Sequence, residues 1–240
     1  MEKLSLDERF SNIDYNISVI RDRISEAAVK SGREPDSIRL MAVTKTVEPV
    51  FINRAIENGI NLIGENKVQE FLGKKDYLKL ENCEAHLIGH LQTNKVRQII
   101  GNVSMIQSVD SLKLAKEISS RSEAMGITTG CLVEVNIGQE ESKSGIDACQ
   151  VYEMIHEISE MKHIKIEGLM TIPPICDDNL ALDKYFSKMH RIFIDIKDKK
   201  LDNVDMNILS MGMSSDYERA IINGSNLVRV GTALFGNRIY

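Results

Sequence analysis

Apolar residues recur at helical intervals near the start of the chain: Phe10, Ile13, Ile17, Ile20, Ile24 and Ala28. This spacing predicts one amphipathic helix over 5–31, stopped by Gly32 with Pro35 just beyond. The pattern then turns short and regular. Brief apolar runs alternate with stretches of helical period. They predict strand 39–45 and helix 48–58, strand 60–64 and helix 66–79, strand 85–89 and helix 93–100, and strand 104–108 and helix 111–124. The second half continues with strand 130–137 and helix 147–160, strand 164–171 and helix 178–199, and strand 206–211 and helix 215–223. Strand 227–232 closes the series, with a short turn of helix at 233–236.

Strand-then-helix alternation implies parallel strands joined by right-handed crossovers. Eight such units in roughly 200 residues fit an α/β chain of the (β/α)8 TIM-barrel type with an extra N-terminal helix. An open doubly wound sheet is the rival; against it, no Gly-x-Gly-x-x-Gly follows an early strand. No Pro- or Gly-rich linker divides the series, so residues 1–240 read as one domain. Composition changes this picture little. Hydrophobic content of 42% and charged content of 27% are those of an ordinary globular chain. A net charge of −5 gives no general reason to expect nucleic acid. Cys83, Cys131, Cys149 and Cys176 are widely spaced and read as reduced thiols. The first residues form no apolar leader, and no run reaches the ~18 apolar residues of a membrane span. A cytoplasmic protein with no membrane partner is the expectation. The histidines and carboxylates form no ligand cluster, so no metal is expected.

In such a barrel the chemistry sits at the C-terminal ends of the strands. Lys45 ends the first. It shares a face with Met41 and Val43, and it is either a surface lysine just past the strand or a desolvated amine prepared to form a Schiff base. Ser210-Met211-Gly212-Met213-Ser214 ends the seventh strand and leads into Ser215-Asp216-Tyr217-Glu218, which has the spacing of a capping box. Glycine permits close approach, and a helix N-terminus offers free amides, so this loop can hold a phosphate. It is equally an ordinary strand–helix turn. Gly231-Thr232 ends the eighth strand before its own short helix, the second place where barrels bind phosphate. Arg229 shares the face of Gly231, with Val228 and Val230 on the other. A buried guanidinium there needs an anion, or an ion pair with Glu134 or Glu167. Closure would place the eighth strand beside the first, and Lys45 beside the cup. Amine, arginine and phosphate cup together suggest a phosphorylated aldehyde, with pyridoxal phosphate the obvious candidate. His86, between Ala85 and Leu87, reads first as a core histidine; His90 reads as loop-exposed.

The motifs extend through the chain. They include Ala42-Val43-Thr44-Lys45, Gly64-Glu65-Asn66, His86-Leu87-Ile88-Gly89-His90-Leu91-Gln92-Thr93-Asn94-Lys95 and Glu141-Ser142-Lys143-Ser144-Gly145. Gly168-Leu169-Met170-Thr171, Leu209-Ser210-Met211-Gly212-Met213-Ser214 and Val228-Arg229-Val230-Gly231-Thr232 complete the set. In these the chain resembles the pyridoxal-phosphate homeostasis proteins, the YggS or PROSC family, which look like the barrel domain of alanine racemase standing alone. The resemblance implies pyridoxal 5'-phosphate as cofactor and Lys45 as its aldimine lysine. It implies phosphate contacts from Ser210, Gly212, Met213, Gly231 and Thr232. Arg229 would face the pyridine nitrogen, with Asn66 and His86 beside the ring. Many members carry a second lysine and a proline soon after the first; here Thr46-Val47-Glu48-Pro49 follows, so this chain departs from the family pattern in lacking that lysine. Lys143 matches a motif lysine.

Three functions are compatible with these residues. The first is a carrier that holds pyridoxal phosphate and serves its homeostasis or delivery, with pyridoxal-phosphate apo-enzymes as recipients and a monomer or weak dimer as its state. The second is an amino-acid racemase or related enzyme. Two-base racemisation needs a second base, which alanine racemase takes from a separate β-domain. The third is a class I aldolase using the same lysine without the vitamer. Visible absorption separates the aldolase from the other two, and α-proton exchange separates carrier from racemase.

Overall fold

The computed structural model describes residues 5–140, 144–176 and 178–236. Among the described residues nine parallel strands form the sheet: β1 (Arg39–Val43), β2 (Leu62–Glu65), β3 (Glu84–Leu87), β4 (Met105–Val109), β5 (Thr129–Asn136), β6 (Ile146–Asp147), β7 (Ile164–Thr171), β8 (Val204–Ser210) and β9 (Leu227–Val230). The order is β4-β3-β2-β1-β9-β8-β7-β5, and β4 pairs with β5 to close the ring. The two-residue β6 is an appendage that pairs along the end of β5. The barrel predicted from the alternation is therefore present, and its eighth strand is β9. Arg39, Leu40, Met41 and Ala42 lie opposite Leu227, Val228, Arg229 and Val230.

Helices α1 (Leu6–Lys30), α2 (Pro49–Glu57), α3 (Val68–Lys74), α4 (Val96–Ile99), α5 (Leu112–Ala124), α6 (Val151–Ser159), α7 (Asn179–Lys197), α8 (Tyr217–Ile222) and α9 (Thr232–Phe235) complete the chain. The expected helix over 66–79 divides into α3 and a 3-10 turn at Lys75–Tyr77. That over 93–100 divides into a 3-10 turn at Thr93–Lys95 and α4. The start of the expected helix at 147 is instead the strand residue Asp147.

Period-two alternation produces two cores. One face of the strands packs on the helices, as with Ala42, Ile63, Leu87, Leu169, Val228 and Val230. The other fills the barrel with Met41, Leu62, Met105, Leu132, Met170, Ile208 and Leu227. Gly64 belongs to this interior: a Cβ there would lie 2.4 Å from the Met41 sulfur. The extra helix α1 is held by its isoleucine stripe, in which Ile13, Ile17, Ile20 and Ile24 are all buried. Its Ser5 and Glu8 form a reciprocal capping box. Asn16 donates to the Leu234 carbonyl at 3.0 Å, which ties α1 to α9.

Candidate functional site

The ends of β1, β2, β3, β8 and β9, with the loops beyond them, build the mouth of the barrel. Lys45 follows β1 in a tight turn and is half-buried. Thr46, next to it, takes φ +62°, a left-handed conformation that a β-branched residue rarely adopts. The turn is pinned from behind by α3. Lys74, itself buried, donates to the Thr44 carbonyl at 2.8 Å. Its ammonium also reaches Glu65 at 2.5 Å and Glu70 at 3.0 Å. Glu70 accepts the Thr46 amide, and Glu65 accepts the Thr44 hydroxyl at 3.0 Å and the Asn66 amide at 2.9 Å. A polar cluster in the layer between sheet and helices thus fixes the backbone on both sides of Lys45. Burial pushes the Glu65 carboxyl up from its ordinary range, and Lys74 opposes that shift.

Asn66 lies just past β2. Its Oδ1 is buried without a hydrogen-bond partner among the described residues. Gly89, after β3, sits so close that a Cβ would lie 2.3 Å from the Asn66 carbonyl oxygen. His90, in the same loop, is exposed and meets Asp110 at 3.1 Å.

Across the ring, the β8–α8 loop lies against β9. The Arg229 amide donates to the Gly212 carbonyl at 3.0 Å. Gly212 has φ +95°, and a Cβ there would stand 2.5 Å from that of Ala220, so this tight passage over α8 requires glycine. The capping box expected from Ser215 and Glu218 is not formed. Asp216 is the N-cap residue of α8 and makes no side-chain cap. Its carboxylate turns back to accept the Met213 amide at 2.6 Å, closing the loop ahead of the helix. The Met213 N–H is thereby engaged within the loop. The Gly231 and Ala233 amides both donate to the Ser214 hydroxyl oxygen at 3.2 Å, and exposed Thr232 lies between them. Ser214 stood inside a motif but was not singled out from the sequence. Its hydroxyl occupies the place where amides at a helix start receive an anionic oxygen. Gly231 lies against β1: a Cβ there would be 3.3 Å from Val43 Cβ.

Beneath the mouth, Arg229 is buried at 4% exposure, directed into the barrel as the alternation required. Its guanidinium donates to Ser210 Oγ at 2.7 Å and to the Thr171 carbonyl at 2.9 Å, rather than pairing with Glu134 or Glu167. Burial draws its pKa down to about 10, while Glu134 and Asp216 oppose the shift; it remains cationic at neutral pH. Burial, reinforced by Asp110, pushes Glu134 up to about 7, with Arg229 opposing. Ser210 donates in turn to Gln107 Oε1 at 2.7 Å. Gln107 Nε2 meets His86 Nδ1 at 2.9 Å, and His86 Nε2 meets Glu84 Oε2 at 3.1 Å. His86 is therefore buried within the barrel, joined to Arg229 by two intervening side chains. Gln107 gave no sequence signal: with Ser108 it is one of two adjacent polar residues in the short run of β4. Lys143 lies outside the described residues.

The sequence matches the alanine racemase N-terminal domain over residues 10–238. A curated relative from Aquifex aeolicus, named pyridoxal phosphate homeostasis protein, is 40% identical over 95% of this chain and 100% of its own length. The chain belongs to the pyridoxal phosphate homeostasis protein family. Among solved structures, one of an unknown protein from Bifidobacterium adolescentis superposes with a TM-score of 0.92. It is 38% identical and covers 97% of this chain and 98% of that one. PipY of Synechococcus elongatus, solved with pyridoxal phosphate bound, superposes at 0.80 with 27% identity, over 93% of this chain and 100% of PipY. The family's barrel is thus the fold described above. Among the described residues no helix is long and apolar enough to cross a membrane, and no group of three or more His, Cys, Asp or Glu is placed to hold a metal ion.

Proposed function

We propose that this protein is a pyridoxal 5'-phosphate carrier in the cytoplasm. It holds the vitamer covalently on Lys45 and serves its homeostasis or its delivery to apo-enzymes, without catalytic turnover. The observation that carries the reading is the arrangement around the β1–β9 seam. An amine follows one strand, a pair of amides converges on an oxygen at the end of the other, and a buried cation lies below. These groups fit the ligand's three functions. The Lys45 amine adds to the aldehyde carbon and water leaves, forming a carbon–nitrogen double bond. The Gly231, Thr232 and Gly212–Met213 region, with Ser214, receives the phosphate, while the Ser210 hydroxyl, shared between Arg229 and Gln107, lies below it. Arg229 meets the ring nitrogen, and Asn66, with its unpartnered oxygen, borders the ring.

A guanidinium opposite the ring nitrogen disfavours protonation there, which weakens the electron withdrawal on which racemisation depends. The curated relatives, named for pyridoxal phosphate homeostasis and matched over nearly their whole length, favour the carrier over an amino-acid racemase. The test is spectroscopic. Pyridoxal phosphate added to the purified protein should give a visible absorption band that borohydride bleaches, with no α-proton exchange when amino acids are offered. A preparation that stays colourless overturns the reading, and sustained exchange converts it to that of an enzyme.

A further inference from the structure

A polar chain crosses the barrel interior from β3 through β4 to β8 and β9, and its hydrogens can be counted. Arg229 has only donors, so Ser210 Oγ accepts from it. The single hydroxyl hydrogen of Ser210 is then free to go to Gln107 Oε1. With its oxygen so used, Gln107 turns its amide nitrogen to His86 Nδ1 as a donor. Nδ1 must be bare, and the ring's hydrogen sits on Nε2, where it goes to Glu84 Oε2. Glu84 Oε1 accepts Arg39 Nη2 at 2.8 Å, which anchors the far end at the bottom of the barrel. Every bond points the same way, from Arg229 towards Glu84.

Turning the Gln107 amide round would break this order at two points. Ser210 would face donors from both Gln107 and Arg229, leaving its own hydrogen without an acceptor in the chain. His86 would need its hydrogen on Nδ1, setting a bare Nε2 against a carboxylate. A second proton would relieve that, but burial lowers the pKa of His86 and opposes it. Both alternatives leave buried polar atoms mismatched, which is costly in a low-dielectric interior.

We infer that Gln107 is a positioning residue: its amide sets the direction of this chain, and so fixes Ser210 and the Arg229 guanidinium in the orientation that meets the ring nitrogen of the ligand. The inference rests on the carrier reading for what Arg229 meets, but the hydrogen-bond order stands on the protein alone.

Two measurements test it. The first compares affinity for pyridoxal 5'-phosphate with that for its 1-deaza analogue, in which the ring nitrogen is replaced by CH. Gln107→Met should weaken binding of the former about tenfold and leave the latter unchanged, since only the former presents a nitrogen to Arg229. Equal losses for both ligands, or no loss for either, would overturn the positioning role. The second uses nitrogen NMR of the unsubstituted, ligand-free protein and does not depend on the variant folding. His86 should show a neutral ring with the hydrogen on Nε2. A hydrogen on Nδ1 would overturn the chain's order. If the unsubstituted protein binds neither ligand, the carrier reading fails while the NMR result still decides the order.

Discussion

Thr232 has the most specific task of any residue at the mouth: it stands between the two amides that converge on Ser214. In the carrier reading its hydroxyl serves the phosphate and nothing else. Thr232→Val should therefore weaken pyridoxal phosphate binding by about 1–2 kcal/mol, the scale of a hydrogen bond to a charged group, and leave pyridoxal nearly unaffected. Titration with both vitamers checks this; equal losses would remove the phosphate assignment. Glu134 is predicted to respond to pH. Burial holds its carboxyl near 7, against 4.5 in the ordinary state. The folded protein thus keeps a proton that the unfolded chain has released, and stability falls as pH rises from about 4.5 through 7. Glu134→Gln should match the parent near pH 4 and exceed it by about 2–3 kcal/mol above pH 7. Denaturant midpoints across that range would show it, and parallel curves for the two proteins would contradict it.

Among the elements, α3 carries the largest burden relative to its length. Through Lys74 it holds the Lys45 turn and neutralises Glu65, which is 1% exposed. Lys74→Met should cost about 3–5 kcal/mol, because it strands a buried carboxylate. Adding Glu65→Gln should restore most of the loss; a double variant as unstable as the single one would deny the coupling. This cluster also shows how far sequence reading reaches. The alternation of Val228 and Val230 with Arg229 and Gly231 placed the strand's faces, so the inward direction of Arg229 was legible from one strand alone. Lys74, Gln107 and Ser214 were not, because their partners lie 30, 103 and 17 residues away. No local pattern marks a side chain whose role rests on a partner distant in the sequence. The Ser215–Glu218 spacing misled for a related reason: the Asp216 carboxylate satisfied the Met213 amide, and the helix began one residue later without a side-chain cap.

At the scale of the whole molecule, ring closure makes the site. Lys45 and Thr232 come from opposite ends of the chain, and the pairing of β1 with β9 brings their strands side by side. Any ligand that spans this seam binds only the closed barrel, so saturating pyridoxal phosphate should raise global stability. At a hundredfold excess over Kd the gain is about 2.7 kcal/mol, read as a concentration-dependent rise in Tm. An unchanged Tm would mean that the ligand does not bridge the seam. The central claim, however, concerns a single amine. Borohydride reduction of the pyridoxal-phosphate-loaded protein, followed by peptide mass mapping, should place the reduced adduct on Lys45 at one per chain and find none on Lys45→Ala. An adduct of the same stoichiometry on the alanine variant, or one mapped to another lysine in the parent, would contradict the account.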